Sequence, residues 1–238
     1  MLKNKLPNCI NLICVTAIAL GLVSCISQSV SPKGANLETL DPNLYDQSWL
    51  TGKPCGAPCW YGLEPGISSR EDSIKTVQQL PFIGGNGTPP PPKAGRIDLD
   101  FLSFPCKKPL NAYDSCVDLI FNNDVLDNIN ITPNYQITFE QAIEKLGSPD
   151  GFFVMPVDPA GGRCILQVLW KNKGLILLKQ DSAQGIFSFR EDLCDQIHDN
   201  DEKLQKGMFI DSDSVIIVSP STIGILQSDL QPWAGFAK

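Results

Sequence analysis

Six cysteines beyond residue 50, namely Cys55, Cys59, Cys106, Cys116, Cys164 and Cys194, limit how this chain can fold more than any other feature, provided that they are oxidised. Oxidation depends on compartment, because disulfides persist outside the cytoplasm and are rare within it. The compartment is written in the first 25 residues. Ile10 to Val23 is a run of 14 mostly apolar residues; Lys3 and Lys5 precede it and no acid occurs before Glu38. A membrane-spanning helix needs about 20 apolar residues. The run instead fits the short apolar region of a secretory signal behind a positive segment. Export predicts that the six cysteines pair, in one of about 15 connectivities. Proximity along the chain favours Cys55–Cys59, Cys106–Cys116 and Cys164–Cys194. Cys9 and Cys14 fall within the discarded peptide.

The run ends Leu22-Val23-Ser24-Cys25. An aliphatic residue, a β-branched one, a small one and then cysteine resembles the bacterial lipobox. An ordinary signal peptide, with a small residue before its cleavage site, is the alternative. The resemblance implies that residues 1–24 are removed, that the Cys25 thiol is lipidated and that the new N-terminus is acylated, palmitate being a typical chain. One acyl chain holds a protein only marginally at about 0.8 kcal/mol per buried CH₂, whereas several hold it stably. The chain is therefore expected as a lipoprotein of the bacterial cell envelope, its partner the membrane through the N-terminal lipid, on the extracytoplasmic side.

Composition agrees with a globular domain: 42% of the 238 residues are hydrophobic and 19% charged. The formal charge is −7. Loss of the signal removes two lysines and no acid, which makes the mature chain more negative still. That balance argues against nucleic acid, which is recognised by a clustered basic face. The chain divides into a signal peptide (1–24), a polar tether (25–48), a first unit (49–133) with a Gly/Pro-rich insertion (84–95), and a second unit (134–238). The fold class expected is α+β: two small units, each a short capped helix packed on an antiparallel sheet.

The elements follow from local patterns. Ser69 with Asp72 marks a helix start, Ile74, Val77 and Leu80 follow at helical spacing, and Pro81 ends the run. Ile97, Leu99 and Phe101 alternate as in a strand. Apolar runs on either side of Asn122-Asn123-Asp124 predict a hairpin. In the second half Thr138 and Gln141 form a capping box and Gly147 stops the helix. A hairpin turning at 171–174 follows, with further strands at 185–190 and 213–219.

The stretch "ITFEQAIEKLGSPD", followed by a Trp-bearing hairpin, resembles the repeat of the SmpA/OmlA outer-membrane-assembly lipoproteins and of the tandem-repeat β-lactamase inhibitor proteins. It covers residues 134–180 well and 62–132 poorly. It implies a short helical unit on a small antiparallel sheet. The opening "PCGAPCWYGLEPG" resembles uncharacterised cysteine-containing lipoproteins of environmental bacteria.

Chemistry is sparse. His198 is the single histidine, and a zinc site would need further ligands. Cys55 and Cys59 enclose three residues where a redox pair usually encloses two. The acid pairs Glu191/Asp192 and Asp211/Asp213 lack a calcium-loop pattern. There is no Gly-x-Ser-x-Gly. No cofactor or metal is expected. Trp60 and Trp233 lie beside turns and are candidate contacts for a partner, since aromatic residues are enriched at binding hot spots. Trp170 is expected in the core. The chain is thus expected to be a non-catalytic module that binds a protein or another envelope component. The alternative is an extracytoplasmic enzyme built from scattered acids or from a Cys55/Cys59 redox pair.

Overall fold

Local sequence starts each helix. In a computed structural model of the chain, residues 34–88, 100–109, 115–156, 164–180, 215–225 and 230–235 are described. A short helix α1 spans Ser48–Thr51 and ends at Gly52 in the left-handed conformation. Helix α2 spans Arg70–Gln78; its N-cap Ser69 accepts the Asp72 N–H at 3.1 Å, and Glu71 and Asp72 place negative charge at the positive end of the helix dipole. Helix α3 spans Phe139–Leu146 and opens with the expected capping box. Thr138 Oγ1 accepts the Gln141 N–H at 3.2 Å, and Gln141 Oε1 accepts the Thr138 N–H at 3.1 Å. Gly147, at φ +82°, ends it. Helix α4 spans Pro220–Ile225.

The strands are β1 (Asp100–Pro105), β2 (Ser115–Asn122), β3 (Val125–Ile131), β4 (Gly151–Pro156), β5 (Cys164–Trp170), β6 (Leu175–Gln180), β7 (Val215–Val218) and β8 (Gln231–Pro232). The expected α+β composition is present, with sheet predominating. The strands of both halves lie in one antiparallel sheet of order β1-β2-β3-β7-β6-β5-β4-β8, rather than in two sheets. The element that joins them is β7, whose Val-Ile-Ile-Val run pairs with β3 on one side and β6 on the other. β1-β2-β3 and β4-β5-β6 are meanders, each preceded by a capped helix.

The expected hairpins are both present. Asn123 and Asp124 take positive φ of 50° and 61° between β2 and β3, the conformation that twisted two-residue turns need. Between β5 and β6, residues 171–173 form a 3₁₀ turn that closes on Gly174 at φ +59°. A Cβ at Gly174 would strike the Val218 carbonyl of β7 and crowd Pro58 at 3.1 Å, so the turn passes too close for any side chain.

One apolar row crosses six strands in register: Leu102, Leu119, Ile129, Ile217, Leu175 and Trp170. With their neighbours on that face these residues pack under Val77, Phe82, Phe139 and Ala142 in the main core. Trp170 is buried as expected, and its indole N–H donates to the Gly147 carbonyl at 2.9 Å. The opposite face is mixed. Leu169, Ile176 and Val218 pack with Ile223 of α4, while Asp118 stands opposite Asn130 between β2 and β3.

The start of the domain differs from expectation. Residues 34–48, assigned to the tether, are packed on the domain: Leu37, Leu40 and Tyr45 pack against the main core and Asp46 is buried. Tyr45, Trp49 and Leu50 of "LYDQSWL" pack with the main core, and Asn134 and Tyr135, remote in sequence, donate to the Leu44 and Asp46 carbonyls. At the sheet edge, Thr88 and Ser103 exchange both backbone hydrogen bonds at 2.9 Å, and Gly84 N–H donates to the Pro105 carbonyl. The first residues of the expected insertion therefore cover β1. The rest of the insertion and the strand expected at 185–190 lie outside the described residues.

Candidate functional site

Two of the three proposed disulfides are formed. Cys55–Cys59 and Cys106–Cys116 are bonded, with Cα separations of 5.6 Å and 4.8 Å. Both separations fall in the range a disulfide spans. The Cys164–Cys194 pair, Cys25, His198 and the acid pairs Glu191/Asp192 and Asp211/Asp213 lie outside the described residues. The Cys55–Cys59 loop follows the C-terminal end of α1.

Trp60 is not a partner contact. It is fully buried, and its indole N–H donates to Asp46 Oδ2 at 2.9 Å. The disulfide loop presses the two aromatic residues after it, Trp60 and Tyr61, inward against Phe82. Trp233 is half-buried and packs against the main core.

Asp46 is the residue that sequence reasoning missed. Its Oδ1 accepts the Ser48 N–H at 2.8 Å and the Tyr61 hydroxyl at 3.3 Å, while its carbonyl accepts the Tyr135 hydroxyl at 2.9 Å. Burial raises its carboxyl pKa above the ordinary 3.8, and the donors from Ser48, Trp60 and Tyr61 partly oppose that rise. Burial also raises the Tyr61 and Tyr135 hydroxyls, and the neighbouring Asp46 charge adds to both. The signal available in the sequence was the apolar company of Asp46: Leu44, Tyr45, Trp49 and Leu50. The arrangement contains donors and one acid but no base beside it among the described residues, so it suits a packing role.

An open surface hollow of about 630 Å³ runs along α2, lined by Ser69, Arg70, Glu71, Ile74, Lys75, Gln78 and Asp124. The α2 cap and the β2–β3 turn build it together, since Arg70 N–H donates to the Asp124 carbonyl at 2.8 Å and Leu126 N–H to the Ser68 carbonyl at 2.8 Å. Arg70 is held in place by an ion pair with Asp100 and by the Phe121 ring, 4.7 Å from its guanidinium carbon. Close by in sequence is Ile67, 74% exposed, the most exposed large hydrophobic side chain among the described residues. Mixed charge around an apolar floor suits a polypeptide surface better than a small anion. Among the described residues there is no group of three or more His, Cys, Asp or Glu placed to hold a metal, and no helix is long and apolar enough to cross a membrane.

The fold and hollow define a disulfide-bonded α+β domain built on one antiparallel sheet. No family model matches the chain, and neither a curated protein nor a solved structure matches it.

Proposed function

We propose that this chain is an envelope lipoprotein, anchored through Cys25 to the extracytoplasmic side of a bacterial membrane, whose domain binds a partner without transforming it. The observation that carries this reading is the apolar run ending in Leu22-Val23-Ser24-Cys25, placed ahead of a domain with Cys55–Cys59 and Cys106–Cys116 bonded. The hollow along α2, with Ile74 and Lys75, and the exposed Ile67 close to it in sequence are the surface offered to a protein or another envelope component. Cys25→Ser should leave a precursor that retains residues 1–24 and takes up no labelled palmitate. Equal labelling of variant and wild type would reject the anchor. For the binding face, Ile67→Asp with Lys75→Glu should reduce capture of envelope components by the mature protein at least tenfold, and unchanged capture would move the face elsewhere.

We further infer that the domain is built from two helix–meander units. Support comes from the repeated order of cap, helix and three-stranded meander, and from each helix meeting its own meander. In the first, Arg70 of α2 reaches Asp100 of β1 and Phe121 of β2. In the second, the end of α3 receives the Trp170 indole N–H at Gly147 and the Lys173 ammonium at the Leu146 carbonyl.

A further inference from the structure

We propose that residues 34–50 are a strap packed on the domain, which shortens the lipid tether to residues 26–33 and holds the near side of the domain within about 29 Å of its own membrane. This rests on the lipoprotein reading above. The strap is held at three points by both halves of the fold. At its start, Ala35 N–H donates to the Gln136 carbonyl at 2.7 Å, and Gln141 Nε2 donates to the Ala35 carbonyl at 3.0 Å. In its middle, Asn134 Nδ2 donates to the Leu44 carbonyl at 2.9 Å. At its end, the buried Asp46 takes Trp60 from the first half and Tyr135 from the second. A Cβ on Gly34 would strike the Gln141 side chain, so the chain passes against α3 at the point where the strap begins.

The consequence is one of reach. Residues 26–33 are all that separates Cys25 from the strap. Eight residues extend to about 29 Å at most, whereas the 23 residues of a tether ending at 48 would extend to about 83 Å. A long tether lets a domain range well away from its anchor, whereas a strapped one is held close to it.

The test uses the full lipidated protein on supported bilayers of phosphatidylethanolamine and phosphatidylglycerol, with neutron reflectometry reading the gap between headgroups and domain. Wild type should show a gap within about 29 Å. Inserting 15 Gly/Ser residues after Gln28, away from the strap, raises the ceiling to about 83 Å and should widen the gap measurably. Hydrogen exchange on vesicles of the same lipids should show the amides of Ala35, Tyr45 and Ser48 protected. A wild-type gap beyond the ceiling, an identical gap in both proteins, or free exchange at those three amides would overturn the strap. Protein that fails to float with the vesicles, while those amides stay protected, would overturn the anchor and the height limit but leave the packing of 34–50 standing.

Discussion

Asp46 shows how much one residue can hide. In sequence it is one acid among the apolar residues Leu44, Tyr45, Trp49 and Leu50; in the fold its carboxyl is enclosed by Ser48, Trp60 and Tyr61. Removing it as Asp46→Ala leaves those donors buried without an acceptor, which should cost at least about 2 kcal/mol by urea denaturation. The pH dependence has a defined sign. Because the folded carboxyl pKa is raised above the ordinary 3.8, its contribution to stability is complete below that value and is lost as pH rises through the folded value. The stability of wild type relative to the non-titrating Asp46→Asn should therefore fall as pH climbs from about 4 towards neutrality. A difference that rises with pH would show that the three donors outweigh burial.

Among the elements, the helices were the most legible. Ser69 and the Thr138/Gln141 box act through their nearest neighbours, so their pattern survives in any fold that keeps the segment helical. Both hairpin turns were legible for the same reason. The opposite face of the sheet was not. Asn130 stands there on β3, and its Oδ1 is buried without a hydrogen-bond partner. Asn130→Val should raise stability by about 1 kcal/mol, since an unpaired buried acceptor is replaced by a side chain suited to a strand. Thermal unfolding checks this, and a lower midpoint would mean that the amide is used. On the core face, Trp170→Ala should cost about 3–5 kcal/mol, as a large core truncation that also strips the Gly147 carbonyl of its donor. A loss below 1 kcal/mol would show that the core can close over the gap.

The parts of the domain are tied across long sequence distances: β3 to β7, residue 46 to residue 135, and the Pro58 loop to the β5–β6 turn. If the reading of compartment is right, the native protein carries no free thiol past Cys25, and reduction exposes six. Thiol titration before and after reduction in denaturant measures this. More than one thiol per native chain would contradict it. The two bonded pairs close short loops. The chain-entropy estimate gives about 2 kcal/mol for Cys55–Cys59 and about 3 kcal/mol for Cys106–Cys116, so replacing either pair by alanine should weaken the fold without abolishing it.

Features that depend on neighbours within a few residues were legible along the chain: the caps at Ser69 and Thr138, the turns at Asn123-Asp124 and Gly174, and the short-loop cysteine pairs. Those choices are made by hydrogen bonds and backbone conformations that close locally, before any distant segment arrives. The tertiary structure alone decided that Trp60 faces inward, that residues 34–48 belong to the domain, and that one sheet replaces two. Each of these turns on a partner remote in sequence. Trp60 needs the Asp46 acceptor, the strap needs Asn134, Tyr135 and Gln141, and the two meanders share an edge only because Val215–Val218 returns between them. An apolar run shows that a strand will be buried, but the neighbour that buries it is set by which open edges remain once the rest of the chain has folded.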